Sequence, residues 1–357
     1  MALDCGVFHS TYESDMGLRR TPVERARMAL FVGFLLVFPW LATPYWLNLA
    51  NQIAIATIGA IGLNILVGYT GQVSLGQGAF MAVGAYGAGL FTLEFGLPWG
   101  VSIAAACVLT AVVGTFFGLP SLRLKGLYLA IATLAAQEII EWVVTHWTAV
   151  TGGTEALVVP APRMFGTRLN SDFAFYWLAV TLAGATALFT ANLFRSRQGR
   201  AFVAVRDQDI AASVIGVDVF RTKLVAFATS SFFVGLAGAL IAYYRTIVTW
   251  ERFTLETSIL YLAMIIVGGL GTIRGSFFGA ALITLLPAAI TNLGRALQDA
   301  APAVAVQLPN VQQAAFGLVI ILFLIFEPEG LSKLWRNVKD YFDVWPFAYR
   351  RGESRGG

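Results

Sequence analysis

The sequence predicts an all-α, polytopic membrane protein of about ten transmembrane helices. Two observations carry this expectation. Apolar residues make up 57% of the chain and charged residues only 12%, against roughly 25% charged in soluble domains. The apolar residues are also gathered into uncharged runs, with no Asp, Glu, Lys or Arg from Met28 to Leu93.

Runs of about 20 residues match a helix that crosses a hydrocarbon layer of about 30 Å. Marked off by charges, prolines and turn signals, the spans fall at 28–42, 47–67, 73–93, 98–118, 126–147, 173–194, 224–244, 257–270, 276–294 and 311–326. Residues 1–27 read as a tail, and since the first apolar run starts only at Met28 it reads as a retained anchor and not a cleaved signal. Residues 28–330 then form the transmembrane domain, with long loops at 148–172 and 195–223, and residues 331–357 form a second tail. Cys5 lies in the first tail and Cys107 in the fourth span, an arrangement that supports neither a disulfide framework nor a metal site.

The basic residues check the count. With the N-terminus inside, 19 of the 24 Lys and Arg fall on cytoplasmic segments, among them Arg19, Arg20, Arg25, Arg27, Arg123, Lys125, Arg274 and Lys333. Only Arg163, Arg168, Arg245, Arg252 and Arg295 fall outside. Removing one internal span would invert the later loops and destroy this sorting, so both termini are predicted to be cytoplasmic. The net charge of +4 follows from that asymmetry. It does not point to nucleic acid, because the bases are dispersed and have no stacking platform beside them.

The insert Arg195 to Lys223 lies between two uncharged spans and carries six basic and three acidic residues. Asp207 and Asp209 are suited to cap a short helix from Ile210 to Ile215, and Gly216 supplies a left-handed stop. Two readings stand: a docking surface for a partner on one side of the membrane, or an ordered loop that only satisfies the positive-inside rule.

Enzyme signatures are missing. No Gly-Lys pair occurs, so the chain has no phosphate-cradling loop. Ser74 lies in Gln72-Val73-Ser74-Leu75-Gly76, one glycine short of a nucleophile elbow and with no nearby His. His146 ends the fifth span beside Trp142 and Trp147 and reads as part of an interfacial aromatic belt.

What remains is translocation. Gly71, Gly76, Gly78, Gly84, Gly87 and Gly89 are interleaved with Gln72, Ser74 and Gln77, which invites a broken or closely packed third span. The stripe Gly78, Ala82, Ala85, Gly89 reads as helix packing. Gln72, Ser74 and Gln77 are candidates for the wall of a solute path, because amides facing lipid are costly, and Asn64 of the preceding span joins them. Glu138 and Glu141 are the only acids inside a predicted span. Glu138 either lines the path and meets a cationic group or holds a subunit interface; Glu141, one turn nearer the outer surface, is expected to be hydrated. One internal echo exists: Asn64 to Gly71 aligns with Met264 to Gly271 at an offset of 200 residues.

The run Leu63 to Phe80, followed by Gly84-Ala85-Tyr86, resembles the permease subunits of branched-chain amino acid ABC importers of the LivM type. Further matches are Leu122 to Leu134, Thr151 to Thr154, Gly199-Arg200-Ala201, Arg206-Asp207, Ala226-Phe227, Gly268 to Thr272 and Pro328 to Leu331. The resemblance implies an ABC importer permease fold in the bacterial inner membrane. It implies pairing with a homologous, LivH-like permease, two cytoplasmic ATPases that hydrolyse the ATP, and a periplasmic solute-binding protein, with no cofactor bound by this chain. Arg206, Asp207, Asp209, Ala211, Ala212 and Gly216 would then form the ATPase coupling element. Thr151, Gly152, Gly153 and Thr154 would touch the binding protein. Glu155-Ala156-Leu157 and Glu141 depart from the family's usual residues, and relatives for urea, short amides or aromatic acids share most of these motifs. An ATP-independent secondary transporter is the competing class; it would leave the 195–223 insert unexplained.

Overall fold

A computed structural model of the chain describes residues 22–121, 126–164, 167–168, 171–297, 308–327 and 329–344. The N-terminal tail through residue 21, Arg123, Lys125, Pro328 and the residues beyond 344 lie outside these. Fourteen α-helices run through the described residues. They are α1 Pro22–Leu41, α2 Pro44–Thr70, α3 Gln77–Leu93, α4 Trp99–Ser121, α5 Leu127–His146, the single turn α6 Thr148–Thr151, α7 Asp172–Arg195, α8 Arg197–Asp207, α9 Asp209–Val214, α10 Val219–Arg245, α11 Leu255–Gly268, α12 Ile273–Leu297, α13 Leu308–Phe326 and α14 Leu331–Val344. The polytopic helical membrane fold expected from composition is the fold observed, with four two-residue strands in its connections. Six helices, α2, α4, α5, α7, α10 and α12, are long and apolar enough to cross a membrane.

Two of the predicted spans are not full-length helices, and one of them starts later than expected. The third does not run as one helix from residue 73: Gly71, at φ 67°, closes α2 in the left-handed region, and α3 begins only at Gln77. The chain between them has no regular structure. The eighth, expected to be short at 257–270, is α11 with 14 residues, about 21 Å at a rise of about 1.5 Å per residue, which is less than the hydrocarbon thickness. Counting placed the third span from residue 73 because the apolar run continues through the break, while the interleaved glycines and polar residues had pointed to a broken helix there.

The break lies deep. Gln77 Nε2 donates to Gly59 O at 3.1 Å, so α3 starts level with a residue 11 positions before the end of α2, about 16 Å back along that helix. From there α3 climbs to the far end of the bundle and returns through Gly96, at φ 62°, into α4.

Helix α10 packs against α2, α3 and α4. Its approach to α3 is set by missing side chains: a Cβ on Gly84 would lie 2.3 Å from Gly235 O, and one on Gly238 would lie 2.1 Å from Met81 O. Backbones that close exclude any larger residue, as expected of packing between membrane helices. The Gly78 to Gly89 stripe does pack, but on irregular segments: Gly78 abuts Phe253 O and Thr254 O, and Gly89 abuts Leu157 and Val159.

At one end of the bundle β1 (Leu157–Val158) pairs antiparallel with β4 (Ile247–Val248), joining the loops after α6 and after α10. A small hairpin, β2 (Arg163–Met164) with β3 (Thr167–Arg168), lies in the same connection. Asn51 Nδ2 donates to Asp172 O at 3.0 Å and Tyr244 Oη to Asp172 Oδ1 at 2.8 Å, pinning α2, α7 and α10 together.

Gly84→Leu is expected to lower the melting temperature of the purified protein in detergent by an amount matching at least about 1–3 kcal/mol. Gly184→Leu, on α7 with nothing within 4 Å of its added Cβ, is expected to leave it unchanged. Equal melting of the two variants would contradict the close α3–α10 crossing.

Candidate translocation site and coupling surface

A helix that starts inside the membrane exposes N–H groups which lipid cannot satisfy. Here other helices supply the acceptors. Leu75 N donates to Thr133 Oγ1 (2.9 Å), Gly78 N to Ser258 Oγ (2.8 Å) and Ala79 N to Gln137 Oε1 (2.7 Å). Gln137 is fully buried and works in two directions. Its Oε1 also accepts from Ser258 Oγ at 3.1 Å, and its Nε2 donates to Phe253 O at 2.7 Å. Phe253 closes the 3₁₀ turn Trp250–Phe253 and Ser258 lies in the first turn of α11. One amide of α5 thus ties the start of α3 to the start of α11. Gln137, Thr133 and Ser258 were missed from sequence. The signal available was Thr133 and Gln137 at i, i+4 on one face of an apolar span.

The predicted path residues sit at this break and are buried. Gln72 Nε2 donates to Thr70 Oγ1 (3.0 Å), Ser74 Oγ accepts weakly from Gly76 N (3.4 Å), and Gln77 holds Gly59 O. Asn64 is 1% exposed and joins a different junction. Its Nδ2 donates to Thr272 O (2.9 Å) and Ser276 Oγ (2.8 Å), and its Oδ1 accepts from Gly271 N (2.9 Å). The two echo segments are therefore in contact, and both end on left-handed glycines, Gly71 and Gly271. Gly330, at φ 73°, docks against Gly269 and starts α14. Beside it Glu329 pairs with Lys333 and Arg336 at 3.0 Å each; the hydrogen bond from Lys333, reinforced by Arg336, holds its carboxyl below the usual range. Sequence reading took 331–357 as a plain tail. The i, i+3, i+4, i+7 spacing of Leu331, Leu334, Trp335 and Val338 is the amphipathic signal that marks the helix.

The 195–223 insert folds as two helices on the α2-terminal end. Ser196 Oγ caps α8 from Gly199 N, and Phe202 is buried beneath it. Arg206 Nη1 donates to Gly68 O at 3.2 Å while its guanidinium pairs with Asp207 at 2.9 Å, so the insert holds the last turn of α2. The short helix α9 does form and Gly216 stops it at φ 88°. Its N-cap, however, is Gln208 and not Asp207 or Asp209; Asp209 lies in the first turn and meets Lys223 Nζ at 3.7 Å. Ala212 is only 2% exposed and faces the chain, whereas Ala211 is exposed, Val214 is 81% exposed, and Ile210 and Ile215 are exposed as well.

On the opposite end Thr151 is buried, donating to Val144 O (2.6 Å) and Trp147 O (2.9 Å). Gly152 and Gly153 follow with φ 77° and 68°, and the exposed portion is Thr154, Glu155 and Ala156. Thr151 thus shapes the turn and Thr154 presents it. His146 stacks on Trp142, ring centroids 4.7 Å apart.

The two acids of α5 diverge. Glu138 is exposed in a stripe with Tyr128, Ile131, Ala135, Ile139 and Trp142. Glu141 is half-buried and lines a cavity of about 10 Å³ with Ala79, Ala82, Gln137, Val144, Trp250 and Phe253. Among the described residues neither carboxylate has an ion-pair partner; Glu141 Oε2 only accepts from Gln137 Nε2 at 3.5 Å.

Residues 45–325 match the family described as branched-chain amino acid transport system, permease component. The high-affinity branched-chain amino acid transport system permease protein LivM of Salmonella typhimurium is 31% identical over 338 residues, covering 87% of this chain and 76% of the relative. In Methanocaldococcus jannaschii the probable LivM is 24% identical over 77% of this chain and 89% of its own length. The probable LivH of that organism is 28% identical over 65% of this chain and 76% of its own. No solved structure matches. With most of its length inside the family model, and 31% identity to a LivM permease along nearly all of it, the chain belongs to the branched-chain amino acid permease family of ABC importers.

Proposed function

We propose that this subunit forms the solute path of an ATP-driven importer together with a homologous permease subunit, carrying branched-chain or related hydrophobic amino acids. Two cytoplasmic ATPases supply the drive, and a periplasmic binding protein delivers the solute to the end bearing Thr154, Glu155 and Ala156. The chain crosses the inner membrane ten times, domain 28–330, with both termini in the cytoplasm. Sequence similarity to both LivM and LivH permeases supports pairing of two related subunits.

The observation that carries the reading is the linkage at the insert. An exposed apolar patch, Ile210, Val214 and Ile215, stands on a helix whose neighbour α8 grips the last turn of α2 through Arg206. One turn earlier on the same helix, Asn64 meets the α11–α12 junction. Movement of a docked ATPase would reach two helix ends at once. Exposed apolar side chains on a polar loop are the mark of a protein contact, and they lie on the face away from Ala212.

Val214→Asp is expected to leave membrane insertion and the melting temperature unchanged, since Val214 is 81% exposed. Solute-stimulated ATPase activity of the assembled complex should fall about tenfold, the effect of losing about 1.4 kcal/mol at a protein contact. Normal stimulation in that variant would remove the insert from the coupling route.

Gln72, Ser74 and Gln77 border the path in this reading and become accessible when α3 shifts. Single cysteines at these positions, in a background lacking Cys107, are expected to react with a small water-soluble thiol reagent in at least one nucleotide state. Full protection in every state would make them packing residues.

A further inference from the structure

We propose that Glu141 is the carboxylate that receives the ammonium group of the solute, in the niche between α3, α5 and the 250–253 turn. The inference rests on the importer reading above and names the group recognised at its path. The niche has room for about 10 Å³, enough for one water-sized group such as an ammonium head. Its chemistry suits a cation: the Glu141 carboxylate and the aromatic ring of Trp250, a side chain whose face attracts positive charge. Apart from Gln137, the remaining lining, Ala79, Ala82, Val144 and Phe253, is apolar.

Two further observations point to this side of α5. Glu141 has no cationic partner among the described residues, and an acid at that depth needs one or needs water. Tyr86, one turn beyond Ala82 on α3 and 3% exposed, has its ring against Phe253 and its hydroxyl without a hydrogen-bond partner. The niche therefore borders one buried hydroxyl that has no partner among the described residues. Glu138 differs: it sits in the exposed stripe Tyr128, Ile131, Ala135, Ile139, Trp142 and faces whatever covers α5. The ammonium class also separates amino acids from neutral solutes such as urea or short amides, which present no full charge to Glu141.

The test uses the complete importer in proteoliposomes with leucine as probe. Glu141→Gln is expected to reduce leucine uptake about tenfold or more, the loss of a charge-assisted hydrogen bond, while complex yield and basal ATPase activity stay at wild-type level. Glu138→Gln should leave the dependence of uptake on leucine concentration unchanged. Glu141→Cys, in a chain without its native cysteines, should react with a water-soluble thiol reagent, and leucine should slow that reaction. Wild-type uptake by Glu141→Gln, or absence of leucine protection at the cysteine, would overturn the assignment. Loss of assembly in Glu141→Gln, with the cysteine unreactive in every nucleotide state, would make Glu141 a packing residue and overturn it as well. A wild-type complex that moves urea and not leucine would sink the ammonium assignment but leave the importer standing; leucine uptake without ATP would sink the importer reading itself.

Discussion

The structure depends on how a helix can begin in the middle of a membrane. α3 starts about 16 Å inside the end of α2, with N–H groups that have no water to bond and no preceding turn to use. Each orphaned group in hydrocarbon costs several kcal/mol. Thr133, Ser258 and Gln137 supply the missing acceptors at 2.7–2.9 Å. Gln137 then returns the other half of its amide to Phe253 O. Two short helices of opposite direction, α3 and α11, are held tip to tip by one side chain of a third.

The other features fall into place around that joint. The glycines of α3 let α10 come close enough to brace it, and Gly78 lets the 253–254 backbone sit directly on its first turn. At the far end of α2 and α11, Asn64 fastens the last turns of α2 to Gly271 and the start of α12, and Arg206 carries that junction to the insert and its exposed α9. A chain of discrete contacts runs from an open apolar patch on one side to a polar joint at mid-depth. It has the form expected of an element that converts a push at the surface into a shift of a half-helix.

Much of this was legible in the sequence. Uncharged runs separated by basic clusters gave the helical membrane class, and the Gly216 stop marked the end of α9, although the expected Asp caps are not the ones used. Gln72, Ser74 and Gln77 marked the break, because polar side chains with glycine at that depth have few other uses. Not legible was where the break's hydrogen bonds go. Gln137 sits next to Glu138 in sequence, and only packing decides that the neutral residue is buried at the joint while the acid faces out. Likewise Ala212 looked like surface in a polar insert and proved to be the residue α9 buries. Periodicity gives the faces of a helix, not which face meets a neighbour 121 residues away, as Gln137 meets Ser258.

The most direct test is the thermal stability and ATP-driven uptake of a Gln137→Leu variant, which keeps the volume and removes both ends of the bridge. Three groups, Ala79 N, Ser258 Oγ and Phe253 O, lose a partner, at about 1–3 kcal/mol for each one left unsatisfied. The account predicts a large drop in melting temperature and loss of coupled uptake, with Gln137→Glu retaining the acceptor role toward Ala79 N and melting between the two. A Gln137→Leu protein that melts and transports like the wild type would contradict it.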